Sequence, residues 1–449
     1  MIFRFFSRAY RWKTRLYFRF NLRLRLLQAL SDIDQRVPLH HPSSPIGRYR
    51  VYSSTTQIVL SKPGVTHEHR CSTDRSATHG VHKTARNACG QEGMFEIATA
   101  KGDNMRVAIV GGGFAGLAAA QLAEEVTSDV QLYDKGTYTG DRRGAWGEMV
   151  WDYSQVPLDR HVPGYVREAT TGIFVGADAK TAINVPDSVI LNRGELEKHW
   201  AGTLEQTEII EDAEVDEAEF RRLSTESDLL IDATGQFPIS SRFTSLSYDV
   251  ACPTLSGRIE ADFSHLYPEP RALAYENYFL WIVPQSPAEA TVGLGCREDK
   301  SPDELYEDMR RLLAEVDIEP PEREALYSGT DVSNGLRSLS DCSYELNDCT
   351  VHIAGDAIGL ANRLTGFGMV HAAQSGRAAV SSFVQGESYK RRLVCQNFWT
   401  KAITSAASPI HHTIGLDGIA RLAKSDIEYQ ESFEPQQPTD ILSAVRTFI

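Results

Sequence analysis

The pattern of apolar and polar positions divides the chain near Met105. From Ser31 to Lys101 no period of two or 3.6 residues is sustained, and Ser, Thr, His and Pro are frequent. After Met105, short β-branched runs alternate with helix-like stretches, beginning with a strand at 106–110 and a helix at 117–125. Strands that alternate with helices predict an α/β fold built on a parallel sheet.

Later segments extend this alternation and add a second kind of sheet. The predicted elements are a strand-to-helix junction at 189–196, an apolar strand at 229–232, an aromatic strand at 276–284 with another at 290–295, and a strand at 350–357 before a helix through 375–379. We therefore predict a domain at 105–385, a sheet inserted at about 240–335, and a helical C-terminal region at 386–449.

Charge sharpens the division at Met105. The chain has 449 residues and a net charge of −14, but residues 1–104 carry 17 Lys+Arg against 7 Asp+Glu, and the rest carries 29 against 53. Residues 1–30 are basic and aromatic, as in a helix that lies on an anionic membrane. The unpatterned stretch behind them favours instead an N-terminal extension that is not ordered or not native, with Met105 as the natural start; a targeting segment is a third alternative.

Composition excludes several classes. The acidic excess after Met105 argues against a nucleic-acid partner and is typical of a protein that works in high salt. No run reaches the roughly 18 apolar residues of a membrane-spanning helix. The seven cysteines form no C-x-x-C pair and no metal-ligand spacing, and His411-His412 is a poor metal site, so we expect no metal, reduced thiols and a cytoplasmic location.

A glycine-rich turn follows the first strand. Gly111, Gly113 and Gly116 form G-x-G-x-x-G between strand and helix, where glycines permit a tight turn, close approach to a pyrophosphate and close helix packing. Asp134 ends the next strand, where its carboxylate can accept hydrogen bonds from an adenosine ribose. Together with Ala115 inside the turn, these residues predict a dinucleotide site.

Three further segments favour FAD as that dinucleotide. Arg193 stands just ahead of a helix, and Gly235 follows an apolar strand that ends at Asp232. The third segment reads Gly-Asp-Ala-Ile-Gly, then Leu-Thr-Gly-Phe-Gly-Met, then Ser-Gly-Arg-Ala-Ala, and its candidate cofactor residues are Gly355, Asp356, Gly366, Gly368 and Met369.

These motifs resemble the flavoproteins of the p-hydroxybenzoate-hydroxylase type, and most of all the geranylgeranyl reductase family. The resemblance runs from Met105 to about Gln385 and implies a Rossmann-like FAD-binding domain with a parallel sheet and an antiparallel substrate sheet. The helical stretches that follow predict a C-terminal cap over the substrate end. It implies that Asp356 binds ribityl or ribose hydroxyls and that Arg193 reaches the pyrophosphate or ribityl region. Gly366 and Gly368 would lie along the isoalloxazine edge, where a helix N-terminus favours anionic reduced flavin.

The strand at 276–284 resembles the same family's substrate motif, although only Trp281 and Pro284 match it outright. Phe279, Trp281 and Val283 share one face of this strand and could line an apolar tunnel, or they could simply pack a sheet core. The family's Cys-Gly pair beside the flavin is replaced here by Ala145-Trp146, so no catalytic residue is identified.

The resemblance implies reduction of isoprenoid double bonds, with geranylgeranyl chains of archaeal-type lipids as substrate. It also implies peripheral contact with a membrane and, because a second G-x-G-x-x-G is missing, an electron donor such as ferredoxin or a separate reductase. One alternative is a monooxygenase or halogenase acting on a small aromatic substrate, although a halogenase needs an active-site lysine. Another is a flavin-binding scaffold without catalysis.

Overall fold

The computed structural model describes residues 105–138, 147–176, 179–275, 277–335, 338–362 and 366–397, and two short strands, Tyr52–Ser54 and Gln57–Val59, that pair antiparallel. The chain divides into two compact units, Met1–Glu96 and Ile97–Ile449. The predictions for the basic segment at 1–30, for Ala145-Trp146 and for His411-His412 lie outside the described residues.

The elements of the second unit are numbered along the chain. Its strands are β1 (Arg106–Val110), β2 (Asp129–Tyr133), β3 (Gly147–Val150), β4 (Tyr165–Gly176), β5 (Ala179–Asn192), β6 (Thr207–Ile210), β7 (Leu229–Asp232), β8 (Val250–Glu260), β9 (Arg271–Ala274), β10 (Tyr278–Ser286), β11 (Glu289–Cys296), β12 (Tyr327–Ser333), β13 (Ser343–Leu346) and β14 (Cys349–Ile353). Its helices are α1 (Phe114–Glu124), α2 (Arg193–Gly202), α3 (Glu217–Glu226), α4 (Pro302–Ala314) and α5 (Met369–Gln385), and residues 389–397 are also helical.

The first sheet has six strands in the order β13-β14-β7-β1-β2-β6 and is parallel except at its β13 edge. Its strands are apolar on both faces because helices cover both. Val107 and Ile109 of β1 pack on the side of α1 and α5, whereas Ala108 and Val110 pack on the side of α3. This is the three-layer arrangement expected of a Rossmann-like domain.

Helices α1 and α5 lie against each other closely. A Cβ atom built on Gly376 of α5 would come within 2.0 Å of the carbonyl oxygen of Ala115 in α1, and one on Gly355 would come within 3.0 Å of the Ala115 Cβ. Only glycine fits at Gly376, because an added side chain would displace main chain rather than a flexible group. The loop ahead of each helix is therefore held near the other.

The second sheet has eight strands in the order β12-β8-β11-β10-β9-β4-β5-β3, and the β9–β4 pair alone is parallel. Leu255, Leu280 and Val292 point from one face into a core with Leu305 and Met309 of α4. Three of these strands come from 147–192, ahead of the segment at 240–335 in which the sequence places the inserted sheet. The opposite face of the sheet, which carries Trp281, is not covered by α4.

The predicted fold class is confirmed: the second unit contains a parallel Rossmann-like sheet, a largely antiparallel second sheet, and helices that include one at 389–397. The strand predicted at 350–357 is shorter, because the main chain of Gly355 takes a φ of +67° and turns into a 3-10 segment. Within the described residues, no helix is both long and apolar enough to cross a membrane.

Candidate functional site

The glycine-rich turn sits between β1 and α1, as predicted. Gly111 has a φ of +103°, and a Cβ there would lie 2.2 Å from the Ala233 carbonyl oxygen that follows β7. A Cβ on Gly116 would lie 1.8 Å from the Gly111 oxygen. Both positions require glycine for packing, which leaves Gly113 as the position in this turn that can admit a ligand.

Asp134 lies buried just after β2 and stabilises the glycine-rich turn through hydrogen bonds to main-chain N–H groups. Its two carboxylate oxygens accept hydrogen bonds from the N–H groups of Gly112, at 2.5 Å, and Gly136, at 2.7 Å. Tyr138 donates its hydroxyl hydrogen to the Gly112 oxygen at 2.6 Å. The predicted ribose contact of Asp134 stays a prediction, and the structure adds that this carboxylate shapes the turn itself.

Arg193 begins α2 and faces the glycine turn. Its Nη2 lies 3.6 Å from the position of a Cβ on Gly113. Its Nε donates to Glu197 at 2.9 Å and its Nη1 lies 3.5 Å from Glu148 of β3, while the Glu197 side chain is only 1% exposed. Glu197, Glu148 and Asp356 raise the pKa of Arg193, so this guanidinium is permanently charged. Burial raises the pKa of Glu148 in spite of the arginine.

The C-terminal motifs converge on the same region. Asp356 lies exposed in the 3-10 segment Gly355–Ile358, and its Oδ1 is 3.2 Å from the position of a Cβ on Gly368. The N–H of Gly355 donates to the Ser375 hydroxyl of α5 at 2.8 Å, which ties this turn to the helix. Because Gly368 caps α5 without a side-chain acceptor, the N–H groups from Met369 onward are available to an anionic ligand.

Three of the predicted cofactor glycines border open space. Among the described residues, a Cβ on Gly235 would meet no atom within 4 Å, one on Gly113 would meet only Arg193 and Glu197, and one on Gly366 would meet only Asp331 at 3.5 Å. We call the exposed main chain at Gly113, Gly235, Gly366 and Gly368, together with Arg193, the cofactor cradle. Its permanent cation and the two helix N-termini beside it suit a dinucleotide. The predicted residues therefore fit a cofactor of that kind.

Not every predicted cofactor residue faces this cradle. The Ala115 side chain is buried between α1 and α5, so only its main chain can contact a ligand. Asp232, which the sequence places at the end of a cofactor strand, is fully buried and accepts hydrogen bonds from Thr234 and from the N–H of Ser240 at 2.7 Å. Its carboxylate organises the loop behind β7.

The predicted substrate residues lie on the open face of the second sheet. Trp281 of β10 lies opposite Gly293 of β11, and a Cβ on Gly293 would come within 2.0 Å of the indole ring. Phe279 lies opposite Gly295, with its ring centroid 6.3 Å from that of Trp281. Both aromatic side chains are half-buried. Glycines on the neighbouring strand thus let the indole lie flat across the sheet.

An apolar cluster joins this face to the loop before α5. Trp151, Ile190 and Val283 are buried, and both Trp281 and Phe367 pack against them. The ring centroids of Trp151 and Phe367 are 5.4 Å apart, edge to face. Because Phe367 stands between the two glycines predicted to border a flavin, the apolar wall reaches the cofactor cradle.

Sequence reasoning missed Glu148, Glu197, Tyr138 and Trp151. Glu197 carried a detectable signal, because it stands four residues after Arg193 on one helix face. The other three depend on contacts between segments that no local motif reports.

Comparison with known proteins identifies a Rossmann-like segment at the glycine-rich turn. Residues 109–146 match the family model described as an NAD(P)-binding Rossmann-like domain. A solved geranylgeranyl bacteriochlorophyll reductase-like protein from Thermoplasma acidophilum is similar over 77% of this chain and 99% of its own, with 15% identity and a TM-score of 0.56. No curated protein sequence matches the chain.

Two further solved structures are similar at lower TM-scores. CmlS, a flavin-dependent halogenase, covers 76% of this chain and 70% of its own with 18% identity and a TM-score of 0.49. HpxO of Klebsiella pneumoniae, complexed with FAD and uric acid, covers 72% and 98% with 13% identity and a TM-score of 0.46. The resemblance inferred from the motifs is confirmed at the level of fold: the second unit shares the architecture of the geranylgeranyl reductase-like protein.

Proposed function

We propose that this protein is an FAD-dependent oxidoreductase that reduces double bonds of isoprenoid chains, with geranylgeranyl chains of lipids as substrate. One observation carries the proposal: the aromatic face of the second sheet is continuous, through Phe367, with the glycine cradle of the first. The fold shared with a reductase-like protein supports it.

FAD is the cofactor that this cradle suits. The main chain at Gly113 and the N-terminus of α1 would hold the pyrophosphate, with Arg193 as the neutralising cation. Asp356 would accept hydroxyls of the ribityl chain or ribose, and Met369 at the N-terminus of α5 would donate to the flavin edge. When bound and reduced, FAD supplies hydride chemistry.

The protein's own residues would position an alkene and exclude water. Trp281 and Phe279 offer a flat apolar surface to a polyene chain, and Trp151 with Phe367 closes the end nearest the cradle. An unactivated alkene accepts hydride poorly, so a dry apolar site is needed. Electrons would come from ferredoxin or a separate reductase, and the lipid from a membrane that the protein contacts peripherally.

The test uses the full chain with bound flavin, reduced anaerobically with dithionite and incubated with a geranylgeranyl lipid. Mass spectrometry should show the lipid gaining mass in steps of about two hydrogens, one step for each alkene reduced. An untouched lipid with reducible flavin would overturn the proposal. Substrate-dependent oxygen consumption with a small aromatic compound would then favour the monooxygenase alternative.

Two variants assign the roles within this assay. Asp356→Ala should lose FAD, whereas Trp281→Ala should keep FAD and lose lipid turnover. A Trp281→Ala enzyme with unchanged turnover would assign this residue to the packing of the sheet alone.

A further inference from the structure

The open face of the second sheet carries one carboxyl group beside the cradle. In an antiparallel sheet, directly opposed residues point to the same side. Trp281 is opposite Gly293, and Phe279 is opposite Gly295, which in turn is opposite Thr254 of β8. Thr254 is opposite Gly329 of β12, and Asp331 follows two residues later on the same face.

The floor between the indole and this carboxyl is made of small side chains. Three strand spacings of about 4.8 Å separate β10 from β12, which makes roughly 14 Å. The indole covers β11, because Cζ3 of Trp281 lies 3.8 Å from the position of a Cβ on Gly295. Cys252 and Thr254 of β8 fill the remaining floor. Between the indole and the carboxyl the sheet therefore carries only small side chains.

Asp331 also meets the loop that precedes α5. Its Oδ2 lies 3.5 Å from the position of a Cβ on Gly366, one residue before Phe367. Its side chain keeps an exposed surface, and it forms no hydrogen bond or ion pair with the described part of the chain. This carboxyl has no bonding partner among the described residues, lies beside the predicted flavin edge and borders the predicted substrate face, so it is free to act on a bound ligand.

We propose that Asp331 is the proton donor that completes alkene reduction, the role for which the sequence offers no residue. This inference rests on the proposed function. FAD, when bound and reduced, would supply the hydride for one alkene carbon and would itself be oxidised. The other carbon takes the proton of the Asp331 carboxyl: the O–H bond breaks and the π electrons form the new C–H bond. Water in the recess then reprotonates the carboxylate, and the electron donor reduces the flavin again.

The electrostatics of the recess keep the proton available. Enclosure by protein, together with the negative charges of Asp356 and Glu148, raises the pKa of Asp331 to about 7. Arg193, the cation near those two groups, is already paired with Glu197 and Glu148. Asp331 therefore carries a proton in about half of the molecules at pH 7, whereas an ordinary aspartate would be almost fully ionised.

The test compares Asp331→Asn with the wild-type holoenzyme in single-turnover oxidation of reduced flavin by geranylgeranyl lipid. The variant keeps the shape but has no acidic proton, so we expect the rate to fall at least about 100-fold while FAD stays bound. The wild-type rate should decline as pH rises through about 7, and the variant should lose this dependence. Asp299→Asn, at an exposed aspartate after β11, is the matched control and should change neither.

A second readout needs no turnover. A carboxyl with a raised pKa binds a proton in the folded state that the unfolded chain has released, so stability falls as pH rises from about 4 to about 7. The difference between the melting temperatures of Asp331→Asn and the wild type should therefore shift in favour of the variant as pH rises across this interval. The same difference for Asp299→Asn should stay constant.

The outcomes separate the two proposals. If Asp331→Asn reduces the lipid as fast as the wild type, the proton-donor assignment alone is overturned. The same holds if the melting temperatures of the variant and the wild type depend on pH in the same way. A wild-type enzyme that does not reduce the lipid overturns the proposed function and the assignment together.

Discussion

The glycine turn and the open sheet face form two sides of one recess, but they are built differently. In the turn, almost every polar group is paired: Asp134 accepts from two N–H groups, and Tyr138 donates to Gly112. On the sheet face, Trp281 lies over glycines and Asp331 has no partner in the described chain. A surface that holds a permanent ligand must be preorganised, whereas one that exchanges substrates keeps groups unpaired for them.

The largest effect is expected where the turn is tightest. Gly116→Ala would place a Cβ 1.8 Å from the Gly111 oxygen and force main chain apart. We expect loss of bound FAD and destabilisation of about 1–3 kcal/mol. The measurement is the flavin-to-protein ratio after gel filtration, with thermal unfolding. Gly202→Ala, where a Cβ meets no atom of the described residues within 4 Å, is the control and should retain flavin. A Gly116→Ala protein that also retained flavin would refute the packing argument.

Two adjacent residues of β10 separate the faces of the second sheet. Leu280 is fully buried against the α4 side, so Leu280→Ala should lower the free energy of unfolding by about 2–5 kcal/mol. Trp281→Ala should cost less stability but reduce lipid turnover at least about tenfold with flavin retained. Urea unfolding and turnover per folded molecule measure both. Equal effects of the two variants on turnover would mean that the open face does not bind substrate.

The ion pair of α2 offers a smaller effect. Arg193→Ala leaves the buried Glu197 carboxylate without its guanidinium, which should cost about 1–3 kcal/mol of stability and weaken FAD binding. Adding Glu197→Gln should restore part of the stability but not the FAD affinity, since the cation is still missing. Urea unfolding and flavin titration of the two single variants and the double variant measure this double-mutant cycle. A double variant less stable than Arg193→Ala would contradict the view that the unpaired Glu197 carboxylate causes the loss.

The smallest effect comes from one hydroxyl. Tyr138→Phe removes the hydrogen bond to the Gly112 oxygen, and Tyr306→Phe removes an equivalent bond from α4 to the Pro321 oxygen at 2.9 Å. Each should cost about 0.5–1.5 kcal/mol in urea unfolding. Only Tyr138→Phe should also raise the dissociation constant for FAD. A loss of affinity in both variants would point to general loosening of the fold.

Sequence alone predicts the parts of this site that local chemistry demands. Gly111 and Gly116 are recognisable because a tight turn and close packing admit no other residue, and Asp134 because it ends the adjacent strand. Asp331 has no such signal: the register of four strands within 250–333 puts it on the face of Trp281, and only the folded chain brings the loop at Gly366 next to it. Glu148 likewise meets Arg193 only because β3 pairs with the end of β5.

The contact between Gly376 and Ala115 fixes the distance between the N-termini of α1 and α5. Gly376 lies seven residues into α5, so the start of α5 stands about 10 Å along its axis from the point where α1 begins. A single ligand that contacts both helix N-termini must therefore span that interval. A side chain at position 376 would push the two helices apart and so move both N-termini relative to each other, although Gly376 itself lies a full two turns away from the start of α5.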